Sequence, residues 1–223
     1  MFVASDTELD LPPEVADSPY LQNVVQQPEF QKALADERFK ATARKVLGQW
    51  ILRPGNPAML ANKLQMAIQH GIKEGLYPAV KAAGEGEKAA AHVRAYAISA
   101  IGVLGGKAHA ARLAALLEDQ TVCQRHMVNK VAYTIQVRDV ALAWLIHLTG
   151  QKHAEYGMDR AKAEFERFAK HSRRYVNVGN MRFEQESKRD EALKRWKAWA
   201  AAHPLPKPPE VAGPDPDPGA GKP

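Results

Sequence analysis

The chain of 223 residues holds 31 Lys and Arg against 25 Asp and Glu, is 45% hydrophobic and has an aromatic share of 7%. That length suits one large core or a short stack of repeats, and a chain rich in alanine and leucine but poor in aromatics favours helix over sheet. The single cysteine, Cys123, excludes an intrachain disulfide, and no window approaches the ~18 apolar residues of a membrane-spanning helix.

Charge is uneven along the chain. Residues 1–30 carry six acids and no Lys or Arg, whereas residues 31–197 carry 29 Lys or Arg against 16 acids, a surplus of 13. Such a surplus fits an acidic partner or nucleic acid, although interspersed charges on helices more often mark solvated faces. The opening residues, Met1-Phe2-Val3-Ala4-Ser5-Asp6, lack the basic and apolar regions of a signal peptide. The cytoplasm is therefore the expected compartment, with export only if the natural start lies upstream.

Residues 1–27, with Pro12, Pro13 and Pro19 among scattered acids, read as an acidic and mostly irregular arm, with a short helical turn near Tyr20 to Val25. Glu29 to Ile51 reads as helix broken near Asp36, its apolar stripe running through Phe30, Leu34, Phe39, Ala43, Leu47 and Trp50. Arg53-Pro54-Gly55-Asn56-Pro57 stops it. Ala58 to Gln69 is the next helix, with Gly71 as a left-handed cap. Lys73 to Ala83 follows, and Pro78 moves the start of the helix proper toward Tyr77. Lys88 to Leu104 is a long helix closed by Gly105-Gly106, and Lys107 to Leu117 is another. Glu118 to Tyr133 is a polar connection without period, longer than most loops, with a helical portion expected around Gln124 to Lys130.

Val137 to Leu148 has the clearest pattern, with apolar residues at 137, 140, 141, 144, 145 and 148. Ala161 to Lys170 is a charged helix that turns Phe165 and Phe168 inward. His171 to Phe183 leaves the helical period, and its Gly179-Asn180 step fits a small hairpin or an ordered loop. Glu184 to Ala202 is the last helix, with Leu193, Trp196 and Ala200 at helical spacing. Residues 204–223 hold eight of the chain's 15 prolines and read as a disordered or extended tail outside the core.

The pattern of Val137 to Leu148 occurs 44 residues earlier. Val93 matches Val137, Arg94 matches Arg138, Ala97 matches Ala141, and Ile98 matches Leu142. Ile101 matches Leu145, Leu104 matches Leu148, Gly106 matches Gly150, and His109 matches His153. A weaker third copy, Arg189-Asp190-Glu191-Ala192-Leu193, lies 51 residues beyond Arg138, which points to an insertion at 171–183. A period of about 40 to 47 residues with two helices per unit is the signature of helical repeat arrays.

The stretch Val-Arg-x-x-Ala-Leu-x-x-Leu followed by Leu-x-Gly resembles the second helix of HEAT and HEAT-like repeats, most clearly over residues 73–153. Together with His147-Leu148-Thr149-Gly150-Gln151 and Tyr156-Gly157 it also looks like a group of bacterial HEAT-like proteins. The resemblance implies an all-α fold: a short HEAT-like solenoid of about four helix pairs over 28–203, with a small non-helical insertion at 171–183 and disordered termini. It implies a structural motif made of Val93, Arg94, Asp119, Val137, Arg138, Asp139, Leu142, Leu145 and Leu148, with Asp119 as the loop acid that meets Arg138. It carries no activity.

The residues themselves offer little chemistry. Cys123-Gln124-Arg125-His126 supplies one close ligand pair where structural zinc wants two, so no metal is expected. Cys123 has no flanking signature of a nucleophile. Arg138-Asp139 reads as a structural ion pair, because the first copy keeps Arg94 but has Ala95 in place of the aspartate. No phosphate loop, dinucleotide motif or nucleophile elbow is visible. We therefore expect no catalytic residues and no cofactor.

In the 171–183 insertion, Arg173, Arg174 and Tyr175, with Arg182 and Phe183, place guanidinium groups beside aromatics. That mix anchors an insertion to a core, suits a protein hot spot, or suits phosphate contact and base stacking. The expected function is a non-catalytic protein-binding or scaffold module. The alternatives are nucleic-acid binding through the basic body and, by analogy of fold, an accessory subunit of an enzyme.

Overall fold

The computed structural model describes residues 23–25, 27–53, 57–84, 89–128, 130–170 and 176–213. Among the described residues the chain is mostly helical, with one small antiparallel sheet. In order, the elements are α1 (Pro28–Ala35), α2 (Lys40–Leu52), α3 (Leu60–His70), α4 (Leu76–Gly84), α5 (Ala91–Ala100) and α6 (Ala110–Ala114), then β1 (Val122–Val128) and β2 (Val131–Gln136), then α7 (Val137–Leu148), α8 (Asp159–Lys170) and α9 (Glu186–Ala202). Short 3-10 turns join them at Pro57–Met59, Lys73–Gly75, Gly106–His109, His153–Tyr156 and Val178–Met181.

Punctuation in the sequence sets several boundaries. Gly71 ends α3 in the left-handed conformation at φ 62°, which glycine adopts without a Cβ penalty. Pro78 sits in the first turn of α4, where its missing N–H has no intrahelical partner to lose. The helix that contains the first repeat copy changes character partway: α5 is α-helical to Ala100 and continues as a π turn over Ile101–Gly105.

Helices α5 and α7 are the centre of the molecule. Helix α5 packs against α3, α4 and α7, and α7 packs against α5, α6 and α9. The equivalent positions are buried in both: Val93 and Val137, Ala97 and Ala141, Ile98 and Leu142, Ile101 and Leu145. Both helices end in a glycine of positive φ, 62° at Gly106 and 74° at Gly150. Both are followed by a buried histidine, His109 and His153, within a 3-10 turn. One continuous apolar cluster runs from Val25 through Trp50, Ile98, Trp144 and Trp196. Where α5 meets α7, the Trp144 ring lies so close over Gly102 that a Cβ there would come within 2.3 Å of it, and Trp144 Nε1 donates to Ser99 Oγ at 3.2 Å.

One expectation needs correction, and two that were left open are decided. The 118–133 connection is not a loop with a helical portion: β1 and β2 pair antiparallel from Val122↔Gln136 to Val128↔Val131 and form a hairpin. Within the insertion, residues 176–183 form an ordered segment around the Val178–Met181 turn rather than a hairpin, while 171–175 lie outside the described residues. Residues 204–213 contain no turn or bend and lie against the body, with the Pro209 carbonyl accepting a hydrogen bond from Arg112 at 2.8 Å. That part of the tail is extended and docked, not disordered, and 214–223 lie outside the described residues. The acidic arm is described only at 23–25 and 27, where Val25 is buried.

Candidate interaction site

The hairpin begins where the helical period stops. Val131, Tyr133, Thr134 and Ile135 are β-branched or aromatic, types that suit a pleated strand, and Lys130 turns the chain at φ 65°. The register slips between Val122 and Gln124, so Cys123 is the extra residue of a bulge, which re-aims a side chain. Here it sends the thiol inward.

The root of the hairpin is tied to the start of α7. Val137 N donates to the Thr121 carbonyl at 2.9 Å, and Arg138 N donates to the Asp119 carbonyl at 3.0 Å. The Asp139 carboxylate reaches back to accept the Gln136 amide at 2.8 Å, satisfying a donor that the helix start would leave open. From α9, Arg189 grips the same carboxylate with Nε at 2.7 Å and Nη2 at 3.1 Å. Its Nη2 also donates to the Thr134 carbonyl in β2 at 3.1 Å. Glu186 pairs with both Arg189 and Arg138. Four charged side chains thus join β2, α7 and α9. Burial is the largest influence on Asp139 and raises its carboxyl pKa, while the Arg189 fork and the Gln136 amide oppose that rise.

The motif arginines all find acids, and for Arg138 it is not the expected one. Asp119 pairs with Arg94 of α5 rather than with Arg138, although Arg138 N lies on the Asp119 carbonyl. Thr121 N closes a turn on the Asp119 carboxylate at 2.9 Å. Arg138 is left to Gln136 Oε1 at 2.5 Å and Glu186 Oε1 at 2.9 Å.

The 176–183 segment packs beside the hairpin, so the two stretches without helical period meet. Arg182 lies over the Tyr133 ring of β2 at 5.0 Å and donates to the Gly179 carbonyl at 3.0 Å. Phe183 lies beneath the Arg189 guanidinium at 5.8 Å. The buried Glu164 of α8 accepts the Asn177 amide at 2.8 Å, Asn180 Nδ2 at 2.9 Å and Arg167 Nη2 at 2.5 Å. Burial alone would raise the Glu164 pKa; these donors outweigh it and hold the carboxyl below its ordinary value.

Arg182 and Phe183 are buried. Of the readings open for them, anchoring is the one their surroundings support, in place of contact with a partner: Arg182 lies on Tyr133 of the hairpin and Phe183 against Arg189 of α9. Arg173, Arg174 and Tyr175 lie outside the described residues. The exposed groups at this end of the molecule are others, Met127 at 73% and Val131 at 51% exposure, together with Arg125, His126 and Lys130. The β-branched run at 131–135 was the signal for them in the sequence.

The remaining candidates for chemistry are absorbed by the fold. The Cys123 thiol donates to the Ile135 carbonyl at 3.2 Å, and burial pushes its pKa up to about 12, which keeps it protonated. His153 Nε2 meets the Ala143 carbonyl at 2.9 Å, and its ring stacks on Phe165, whose ring also stacks on His147. Among the described residues no group of three or more His, Cys, Asp or Glu is placed to hold a metal ion, and no helix is long and apolar enough to cross a membrane. No protein-family model, curated protein or solved structure matches the chain.

Proposed function

We propose that the protein is a non-catalytic binding module, a HEAT-like array of helix pairs that presents the β1–β2 hairpin to a protein partner. Matched burial in α5 and α7, matched glycines and histidines after each, and the packing of α4 on α5 and of α6 on α7 support the repeat reading. The observation that carries the binding reading is the far end of the hairpin. Met127 and Val131 expose apolar surface beside Arg125, His126 and Lys130, on an arm whose root is fixed by the Asp139–Arg189 pair. A rigid arm with an adaptable methionine at its end lowers the ordering cost of association.

The test is a double substitution, Met127→Asp with Val131→Asp. Both side chains are exposed, so the melting curve stays within about 0.5 kcal/mol of the unaltered chain. Proteins cross-linked to the unaltered chain through the hairpin are lost from the double variant. An identical cross-linked set from both chains would remove the hairpin from the interface.

The second reading, nucleic-acid binding, is favoured by Arg125 and Lys130 on the arm and by the cationic surplus of the body. Phosphate attraction is strongest at low salt. A gel shift that shows no complex with duplex or single strands at low ionic strength excludes it.

A further inference from the structure

Residues 203–213 read His-Pro-Leu-Pro-Lys-Pro-Pro-Glu-Val-Ala-Gly. Each proline fixes its φ near −65° and removes an amide donor, so the favoured path for such a segment is the polyproline II helix. Its burial pattern has the matching period. Between 204 and 213 the partly covered residues are Leu205, Pro208 and Val211, and the two residues after each are exposed. Polyproline II repeats every three residues, whereas a strand alternates every two. The spacing therefore fits one face of a polyproline II helix laid on the helical body.

The surface beneath it offers groups that suit such a ligand. Leu205 packs against the apolar core. Arg112 of α6 donates to the Pro209 carbonyl at 2.8 Å. At Gly213 the backbone passes so close to Tyr77 of α4 that a Cβ would come within 2.8 Å of the ring. An apolar contact, a donor to a proline carbonyl and an aromatic ring are the means by which grooves read proline-rich segments. The segment runs from the end of α9 past α6 to α4, about 28 Å over residues 204–213 at 3.1 Å per residue.

We propose that the Arg112–Tyr77 surface is a binding site for a proline-rich segment of a partner protein, and that residues 204–213 occupy it in cis. No residue of that segment is fully buried, so its release opens little of the core and belongs to the low-cost end of local openings. Because the segment continues directly from α9, its effective concentration at the site is about millimolar. The tail is thus a built-in competitor that an incoming segment must displace. This site is separate from the β1–β2 hairpin and stands whether or not the hairpin binds a partner.

The test uses the full chain and a fluorescent peptide with the sequence of residues 203–213. Leu205→Asp with Val211→Asp disengages the resident tail, and Pro208→Gly serves as a second disengaging variant should the first fail to fold. Anisotropy is expected to show the peptide binding at least about tenfold more tightly to the disengaged chain than to the unaltered one. Arg112→Ala, added to the disengaged chain, removes most of that gain. A peptide with Leu and Val moved out of the three-residue register binds no better than peptide on the Arg112→Ala chain. Equal binding to disengaged and unaltered chains, or no effect of Arg112→Ala, overturns the site. A tail-exchanged dimer of the unaltered chain, seen by light scattering, overturns the assignment to a partner and gives the surface to a second copy.

Discussion

The α5 unit and the α7 unit bury the same residue types at the same positions, yet each neutralises its buried arginine in its own way. Arg94 reaches forward to Asp119, whose side chain is 22% exposed. Arg138 reaches Glu186. The third motif arginine, Arg189, turns back to Asp139, a carboxylate with no exposed surface. The apolar stripe is what repeats, because stacked helices need it to close the core. The acids differ because the connections differ, and the connection before α7 contains the hairpin. In this molecule the packing is shared between copies, and the distinctive surface arises where the copies diverge.

The comparison predicts that the two stripes fail alike. Leu142→Asp or Leu145→Asp in α7, and Ile98→Asp in α5, each bury an unpaired carboxylate among apolar neighbours. Each is expected to cost more than about 4 kcal/mol and to unfold the protein at ambient temperature. A urea melt unchanged by Leu142→Asp and Leu145→Asp would sink the repeat assignment, and a mild effect in one unit alone would break the equivalence of the two.

The arginines are predicted to fail unequally. Arg189→Met leaves Asp139 buried without its partner, a loss of about 3 to 5 kcal/mol. Arg94→Met leaves Asp119 partly in water and still accepting the Thr121 amide, so its loss is smaller, about 1 to 2 kcal/mol. Adding Asp139→Leu to Arg189→Met should recover part of the stability, since the buried charge is then gone. Equal losses from the two single variants would mean that the hairpin root is no more committed than the ordinary repeat contact.

The sequence made the shared part legible and hid the rest for physical reasons. Val137 to Leu148 is read from its period and is helical between those same residues. Gly71 is readable as a cap and has the left-handed conformation. The hairpin escaped because it stands out from the body: among its described side chains Cys123 and Ile135 are the buried ones, so the alternation that betrays a half-buried strand never develops. Its turn uses Lys130 at positive φ, where the sequence signal would be glycine. Arg182 and Phe183 looked like contact residues because guanidinium beside aromatic is common at interfaces; here the same pairing fastens a segment to its own hairpin. The docked tail shows up only as a three-residue spacing of Leu205, Pro208 and Val211, a period that a search for helices and strands passes over.

The closest fit between the two units is itself a difference. Position 102 of the first copy is glycine and position 146 of the second is isoleucine, while Ala100 of the first corresponds to Trp144 of the second. The large ring of one copy lies in the gap left by the small residue of the other. Gly102→Ala is therefore expected to cost about 1 to 3 kcal/mol by overpacking, whereas Ala100→Gly leaves the ring in place and costs about 1 kcal/mol of helix propensity. Combining Gly102→Ala with Trp144→Leu should be less harmful than the two separate losses added together, and a strictly additive double variant would show that ring and glycine do not depend on one another.

The smallest predicted effect concerns the histidines that follow both helices. His109 and His153 sit below the ordinary histidine pKa of 6.5, chiefly because burial disfavours the charged ring; Arg112 and Lys73 add to this at His109, and at His153 the Ala143 carbonyl works against it. His147, stacked on Phe165, is lowered by burial as well. In each case the unfolded chain takes up a proton at a higher pH than the folded one. The stability these rings contribute is complete above pH 6.5 and is lost as pH falls from there through the folded values. The melting temperature should therefore decline as pH drops below about 6.5, before most carboxylates titrate. His109→Gln and His153→Gln should each flatten that decline, by similar amounts if the two units are equivalent in their caps as they are in their stripes. A decline that survives both substitutions would place the acid sensitivity elsewhere, and one abolished by His153→Gln alone would show that the caps, unlike the stripes, have diverged.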